Sequence, residues 1–143
     1  MKQLLPFTVG YETYALELLD IQEVVENQQI HLFLGSPEVV AGAINFHGRI
    51  VPVVHLARLL NIPAEKIGHR LIVLANHRGP VALGVDQVQA VINIEADPNS
   101  QPENNAENSY VNKVVNWCGK RVSLLDLDQL QVKLELLCTQ MES

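Results

Sequence analysis

The sequence predicts a mostly all-β fold: two small barrels of five short antiparallel strands each, sharing one core and followed by a C-terminal helix. Three observations predict it. Most apolar residues fall in short β-branched runs between Gly, Asn and Pro turns, not at helical spacing. The chain also repeats. "YALELLDIQEVV" (14–25) aligns without gaps with "VALGVDQVQAVI" (81–92) at an offset of 67, carrying Ala15, Leu16, Gln22 and Val24 onto Ala82, Leu83, Gln89 and Val91. "INFHGRIVPVVHL" (44–56) aligns with "VNWCGKRVSLLDL" (115–127) at an offset of 71, and Asn45 and Gly48 recur as Asn116 and Gly119. Finally, roughly 60 residues alone bury too little surface for comfortable stability, so the two repeats must share a core. The chain then reads as a single domain, 1–143, with halves 1–66 and 67–126 and a helix at 127–142.

The elements follow in order. "LLPFTV" and "YALEL" flank a turn at Gly10–Thr13, and "IQEVVE" is a β-branched strand. "AINF" and "RIVPVV" form a hairpin through His47–Gly48, since Gly favours the left-handed region and His tolerates it. Pro52 cannot donate to a ladder and is expected at an edge or bulge. The stretch Gly42–Leu56 is apolar on both faces: Val51, Val53 and His55 point one way, Ile50, Pro52, Val54 and Leu56 the other. One face is expected to fill its own barrel, the other to meet the second barrel or a partner. "HLARLLN", 55–61, reads as a short helix stopped by Pro63. In the second repeat "HRLIVLAN" and "VALGV" flank a turn at 77–80, and "QVQAVINI" follows. "EADPNSQPENNAENS", 95–109, is polar with two prolines and reads as a long loop without structure. The last run places Leu127, Leu130, Leu134, Leu137 and Met141 on one helical stripe, expected to dock on the body. Asp126 with Gln129 resembles a capping box at its start.

Composition narrows the function. The chain is 48% hydrophobic with a formal net charge of −6, and its 10 Lys and Arg are scattered. Nucleic acid and anionic membrane surfaces are disfavoured, because both require clustered basic residues. No segment has the 18 or so apolar residues that span a bilayer, and the N-terminus lacks a signal-peptide pattern, so a cytoplasmic location is expected. Cys118 and Cys138 make neither a disulfide framework nor a zinc site.

No catalytic constellation emerges. His31, His47, His55, His69 and His77 form no His-x-x-x-His pair, and turn or surface roles suit them better than a metal. "GPVALG", 79–84, lacks the Lys-Ser/Thr of a phosphate loop and reads as a hairpin. Glu12, Glu17, Glu23 and Glu26 fit solvated strand faces better than paired catalytic carboxylates. Asp86 suits a cap or turn role as well as any contact. No cofactor and no metal are implied. Two rivals stand beside a binding protein: a small β-barrel hydrolase using His47, His55 and Asp86, and a ligand-binding sensor with a closed pocket.

"FTVGYETYALELLDIQEVVE", "PEVVAGAINFHGRIVPVVHL", "VALGVDQVQAV" and "VSLLDL" together resemble the CheW-like chemotaxis adaptor family over roughly residues 5–130. The Gly-x-x-Asn-x-x-Gly-x-x-x-Pro-Val pattern on Gly42, Asn45, Gly48, Pro52 and Val53 is the most specific part. The resemblance implies two interlocked five-stranded SH3-like barrels and an adaptor without enzyme activity. It implies partners too: the cytoplasmic tip of a chemoreceptor and the regulatory domain of a CheA-type histidine kinase. Receptor contacts would fall on Ile21, Glu23, Gly42, Val88 and Val91 along the inter-barrel groove. The turn at Asn45, His47 and Gly48 would lie at or near a kinase or receptor contact. The sequence departs from the family where His47 replaces its usual Arg, where His55 replaces its usual Asp, and where "YVNKVVN" lacks a Gly. These departures leave open a divergent pathway such as surface motility.

Overall fold

The computed structural model describes residues 2–26, 28–32, 37–63, 67–94, 101–102 and 110–142, with the side chains of 101–102 and 137–142 outside the description. Five strands come from the first repeat: β1 Lys2–Val9, β2 Glu12–Glu17, β3 Ile21–Glu26, β4 Val40–Phe46 and β5 Arg49–His55. A short helix, α1 Leu56–Leu59, follows. The second repeat supplies β6 Arg70–Leu74, β7 Ala82–Val85, β8 Gln87–Val88, β9 Ile92–Ile94, β10 Gln101–Pro102, β11 Val111–Trp117 and β12 Lys120–Leu125, then α2 Leu127–Glu142.

The repeats exchange strands. A five-stranded sheet runs β3-β6-β7-β5-β4, so the first two strands of the second repeat sit among three from the first. A seven-stranded sheet runs β10-β11-β12-β2-β1-β8, with β9 also on β1, the reciprocal exchange. The two seams between repeats are the same pairing. β12 runs parallel to β2 with Leu124 opposite Ala15, and β5 runs parallel to β7 with Val53 opposite Ala82. Offsets of 67 and 71 carry one pair onto the other. The expectation of purely antiparallel barrels is therefore corrected: a parallel seam is what interlocks the repeats.

Burial explains why Gly42–Leu56 is apolar on both faces. Val51 and Val53 join Ile44, Leu71 and Ala82 inside the five-stranded barrel. Their equivalents Val122, Val115, Leu4 and Ala15 form the smaller core of the other barrel. Val54 and Leu56 face instead a larger core between the sheets, with Phe7, Leu16, Ile72, Leu83 and Leu125. α2 closes this shared core with Leu127, Leu130 and Leu134, as the stripe predicted; Leu137 and Met141 lie outside the described side chains. Asp126 Oδ1 accepts the Gln129 N–H at 3.2 Å. The Asp126 N–H goes to the Tyr110 carbonyl rather than to the Gln129 side chain of a capping box.

Prolines account for two local departures. Phe7 pairs with Tyr14 and Val9 with Glu12 across a two-residue turn, and alternate pairs exchange hydrogen bonds. The missing N–H of Pro6 therefore faces β8 and β9. Pairing with β1 holds at Val88 and resumes at Ile92, so the copy of β3 is broken into two strands. That break and the added β10 turn the expected five strands into seven. Pro52 lies in β5, an interior strand rather than an edge. It is tolerated because the parallel ladder to β7 begins one residue later, at Val53.

Other expectations shift. α1 stops at Leu59 and the chain turns through Asn61 at φ +58°, before Pro63 is reached. The 77–80 turn contains a 3-10 turn over Asn76–Arg78. Within the expected loop at 95–109, Gln101 and Pro102 pair with Val114 and Lys113 as β10; the rest lies outside the described residues.

Candidate functional site

The hairpin tip of β4 and β5 is built by its own residues. His47 and Gly48 take φ of +50° and +81°, and the Asn45 side chain accepts the Gly48 N–H at 3.0 Å. Asn45, His47 and Gly48 are exposed, while Phe46 is buried beneath them and meets the His47 ring edge-on at a centroid distance of 4.4 Å. The same turn recurs at Cys118–Gly119, with φ of +51° and +78°. There the aromatic, Trp117, is 39% exposed and Cys118 is a free exposed thiol.

The structure brings two of the expected contact residues together: His47 Nε2 lies 3.6 Å from Glu23 Oε2 on β3. It spreads the others. Ile21 starts β3 on the edge of the five-stranded sheet, and Val88 lies in β8 on the edge of the seven-stranded sheet. They are equivalent under the repeat, and both pack half-buried on the rim of the shared core. Val91 is 41% exposed and stands in the break between β8 and β9.

Gly42 is buried and serves the fold. Its φ is +145°, and a Cβ there would come within 2.3 Å of the His31 carbonyl oxygen, because His31 pairs with Ala43 across it. At the equivalent position, Lys113, the same β-bulge recurs, and β10 pairs alongside it through Pro102.

The rival enzyme constellation is not assembled. His47 lies in the turn before β5 and His55 ends that strand, and the strand between them, Arg49 to His55, runs roughly 20 Å at a strand's rise per residue. His55 is buried at 5% exposure, against the expectation of a surface or turn role, and neither ring nitrogen has a hydrogen-bond partner among the described residues. Burial first, and Arg58 second, lower its pKa from the usual value against the pull of Asp86, and the lowered pKa favours the neutral ring. Its equivalent, Asp126, caps α2; His55 offers α1 no side-chain cap. Asp86 Oδ2 accepts the Gly10 N–H at 2.7 Å, a turn role linking the repeats. The glutamates are surface partners: Glu17 meets Lys2 at 3.1 Å and Glu26 meets Arg70 at 2.7 Å. Among the described residues, no three His, Cys, Asp or Glu cluster as a metal site, and no helix is long and apolar enough to cross a membrane.

Sequence reasoning missed two features. One is a cleft of about 480 Å³ lined by Lys2, Gln3, Glu17, Leu18 and Leu19. The other is an ion network. Arg78 Nε donates to Asp20 Oδ1 at 3.0 Å, Arg78 Nη1 donates to Asp128, and His77 Nε2 lies 2.9 Å from the same Asp20 oxygen. Burial opposes the Arg78 charge, but its hydrogen bonds to Asp128 and Asp20 prevail and raise its pKa. Leu19, a leucine out of strand alternation and 82% exposed, is the one signal that pointed to the cleft. Nothing in the spacing of Asp20, Arg78 and Asp128 pointed to the network.

Comparison with known proteins agrees with this architecture. The family model of the CheW-like domain matches residues 3–134. A chemotaxis protein CheW of Thermotoga maritima is 29% identical over 132 residues, covering 90% of this chain and 86% of its own. A chemotaxis protein CheW of Bacillus subtilis is 28% identical over 105 residues, covering 71% of this chain and 67% of its own. Among solved structures, the scaffolding protein TtCheW from Thermoanaerobacter tengcongensis superposes with a TM-score of 0.80 at 25% identity, covering 87% of this chain and 88% of that one.

Proposed function

The chain belongs to the CheW-like domain family, and on that premise we propose that it is a non-enzymatic adaptor that couples chemoreceptors to a CheA-type histidine kinase. The observation that carries this reading is the family match at residues 3–134, which spans both repeats and both sheets. The relatives are chemotaxis proteins and the superposing structure is a scaffold.

The finer assignment rests on the rim of the shared core. Ile21 and Val88 line two sheet edges above one apolar core, with Glu23 and Val91 exposed beside them. An amphipathic receptor tip laid between the edges would bury apolar surface on Ile21, Val88 and Val91 and meet charge at Glu23. The hairpin tip at Asn45, His47 and Gly48 adjoins that surface through the His47–Glu23 contact and is assigned to the kinase regulatory domain or the receptor. Gly42 acts through its backbone, since the lack of a Cβ lets β4 lie against His31. The adaptor works in the cytoplasm and joins membrane arrays through its receptor.

Reconstitution tests the reading. The protein is added to a receptor cytoplasmic fragment and a CheA-type kinase from the same organism, and autophosphorylation is followed. Receptor control of the kinase that appears only with the protein supports the adaptor. Kinase rates indifferent to its addition contradict it.

A further inference from the structure

Asp20 directly precedes Ile21, the first residue of β3. Its side chain and its backbone are both held by the turn after β6. Oδ1 accepts Arg78 Nε at 3.0 Å and lies 2.9 Å from His77 Nε2, and the Asp20 carbonyl accepts the Ala75 N–H at 2.8 Å. The other end of Arg78 reaches α2. Nη1 donates to Asp128 Oδ1 in the first helical turn, and the Gln131 side-chain amide donates to the Arg78 carbonyl. The Asp20 and Arg78 side chains are 15% and 23% exposed, so solvent and salt screen their contact less than a surface pair. The two contacts use different nitrogens of one planar fork, which an ammonium cannot reproduce.

This clamp is not demanded by the fold, because the repeat does not copy it. Tyr11, Gln87 and Ala57 stand at the positions equivalent to Arg78, Asp20 and Asp128. Nor does the first repeat have a long helix: α1 has four residues where α2 has sixteen. The clamp and the helix are thus additions to one side of a duplicated body, and they converge on Asp20, the residue just before β3.

We propose that Arg78 is a positioning residue that couples the seating of α2 to the pitch of β3, and so sets how Ile21 and Glu23 meet the receptor. The proposal rests on β3 being a receptor surface, as read above. A change that lifts the N-terminal turn of α2 releases Asp20 and alters receptor affinity without touching the receptor-facing side chains.

The test compares wild type with Asp128→Asn, Arg78→Gln, Arg78→Lys and Glu23→Lys. Asp128 is 80% exposed, so Asp128→Asn spares the fold should Arg78→Gln prove unstable. The readouts are amide exchange over 21–26, melting temperature, and affinity for two probes: a soluble chemoreceptor tip fragment and a CheA-type regulatory domain. Asp128→Asn is expected to keep its melting temperature and kinase-domain affinity, to speed exchange in β3 and to weaken tip binding by about fivefold, the low end of typical coupling. Arg78→Lys is expected not to rescue Arg78→Gln. Unchanged exchange, or equal weakening of both probes, overturns the proposal. Faster exchange with unchanged tip binding also overturns it, provided Glu23→Lys abolishes that binding. If Glu23→Lys leaves tip binding intact, the receptor surface has been misplaced and the coupling to it falls too.

Discussion

His47 Nε2 lies 3.6 Å from Glu23 Oε2, so the tip of one hairpin and the edge strand β3 meet through an imidazole and a carboxylate. Both side chains are largely exposed, and the pair is ionic only when the imidazole is protonated. The family's usual Arg would hold a permanent charge there.

Partner binding should therefore respond to the charge at position 47. An exposed pair is worth up to about 1 kcal/mol, so His47→Arg, which sets a permanent charge beside Glu23, should change affinity by up to about fivefold. Titration calorimetry on the two proteins checks this; equal affinities would remove His47 from the contact.

Folding stability should vary with pH through a different histidine. Burial first, and Arg58 second, lower the His55 pKa below its unfolded value near 6.5. The unfolded chain then binds the proton more readily than the folded one. The His55 contribution is fully present above about pH 6.5 and is lost as pH falls toward the lower folded value. Urea midpoints should drop from pH 7.5 to 5.5 in wild type, and His55→Leu should flatten that part of the slope.

Gly42→Ala separates a folding role from a contact role. A Cβ there meets the His31 carbonyl at 2.3 Å on a backbone with φ +145°. The substitution should cost at least about 2 kcal/mol, since so rarely populated a backbone alone costs about 1–3 kcal/mol and the steric overlap adds to it. Gly48→Ala meets open space and bears only the backbone strain of φ +81°. Denaturant melts of the two variants, with Gly42→Ala markedly the weaker, are the expected outcome.

Each sheet takes strands from both repeats, so neither half has a complete barrel. We infer one folding unit: residues 1–66 and 67–143, expressed apart, should lack native circular dichroism and regain it on mixing. A half that folds alone would argue for independent subdomains.

Much of this was legible in the sequence because it is periodic. The repeat offsets carry the internal cores and the paired turns at His47–Gly48 and Cys118–Gly119, whereas the parallel seams went against the expected antiparallel pairing. The leucine stripe carried α2. What escaped depends on contacts distant along the chain. The break between β8 and β9, where Val91 stands exposed, appears only once β1 and its Pro6 lie against both strands. The need for Gly42 appears only when His31 crosses it. Asp20, Arg78 and Asp128 are ordinary surface-type residues until the fold joins them. His55 read as a turn residue because its strand alternation gave no sign that its neighbours leave the ring without a partner.

The most direct measurement is a pull-down from native lysate with the wild-type protein beside the double variant Glu23→Lys, Val91→Asp, both exposed positions that leave the shared core intact. The expected result is a chemoreceptor and a CheA-type kinase with the wild type, and the kinase without the receptor with the variant. A wild-type protein that retains neither would contradict it.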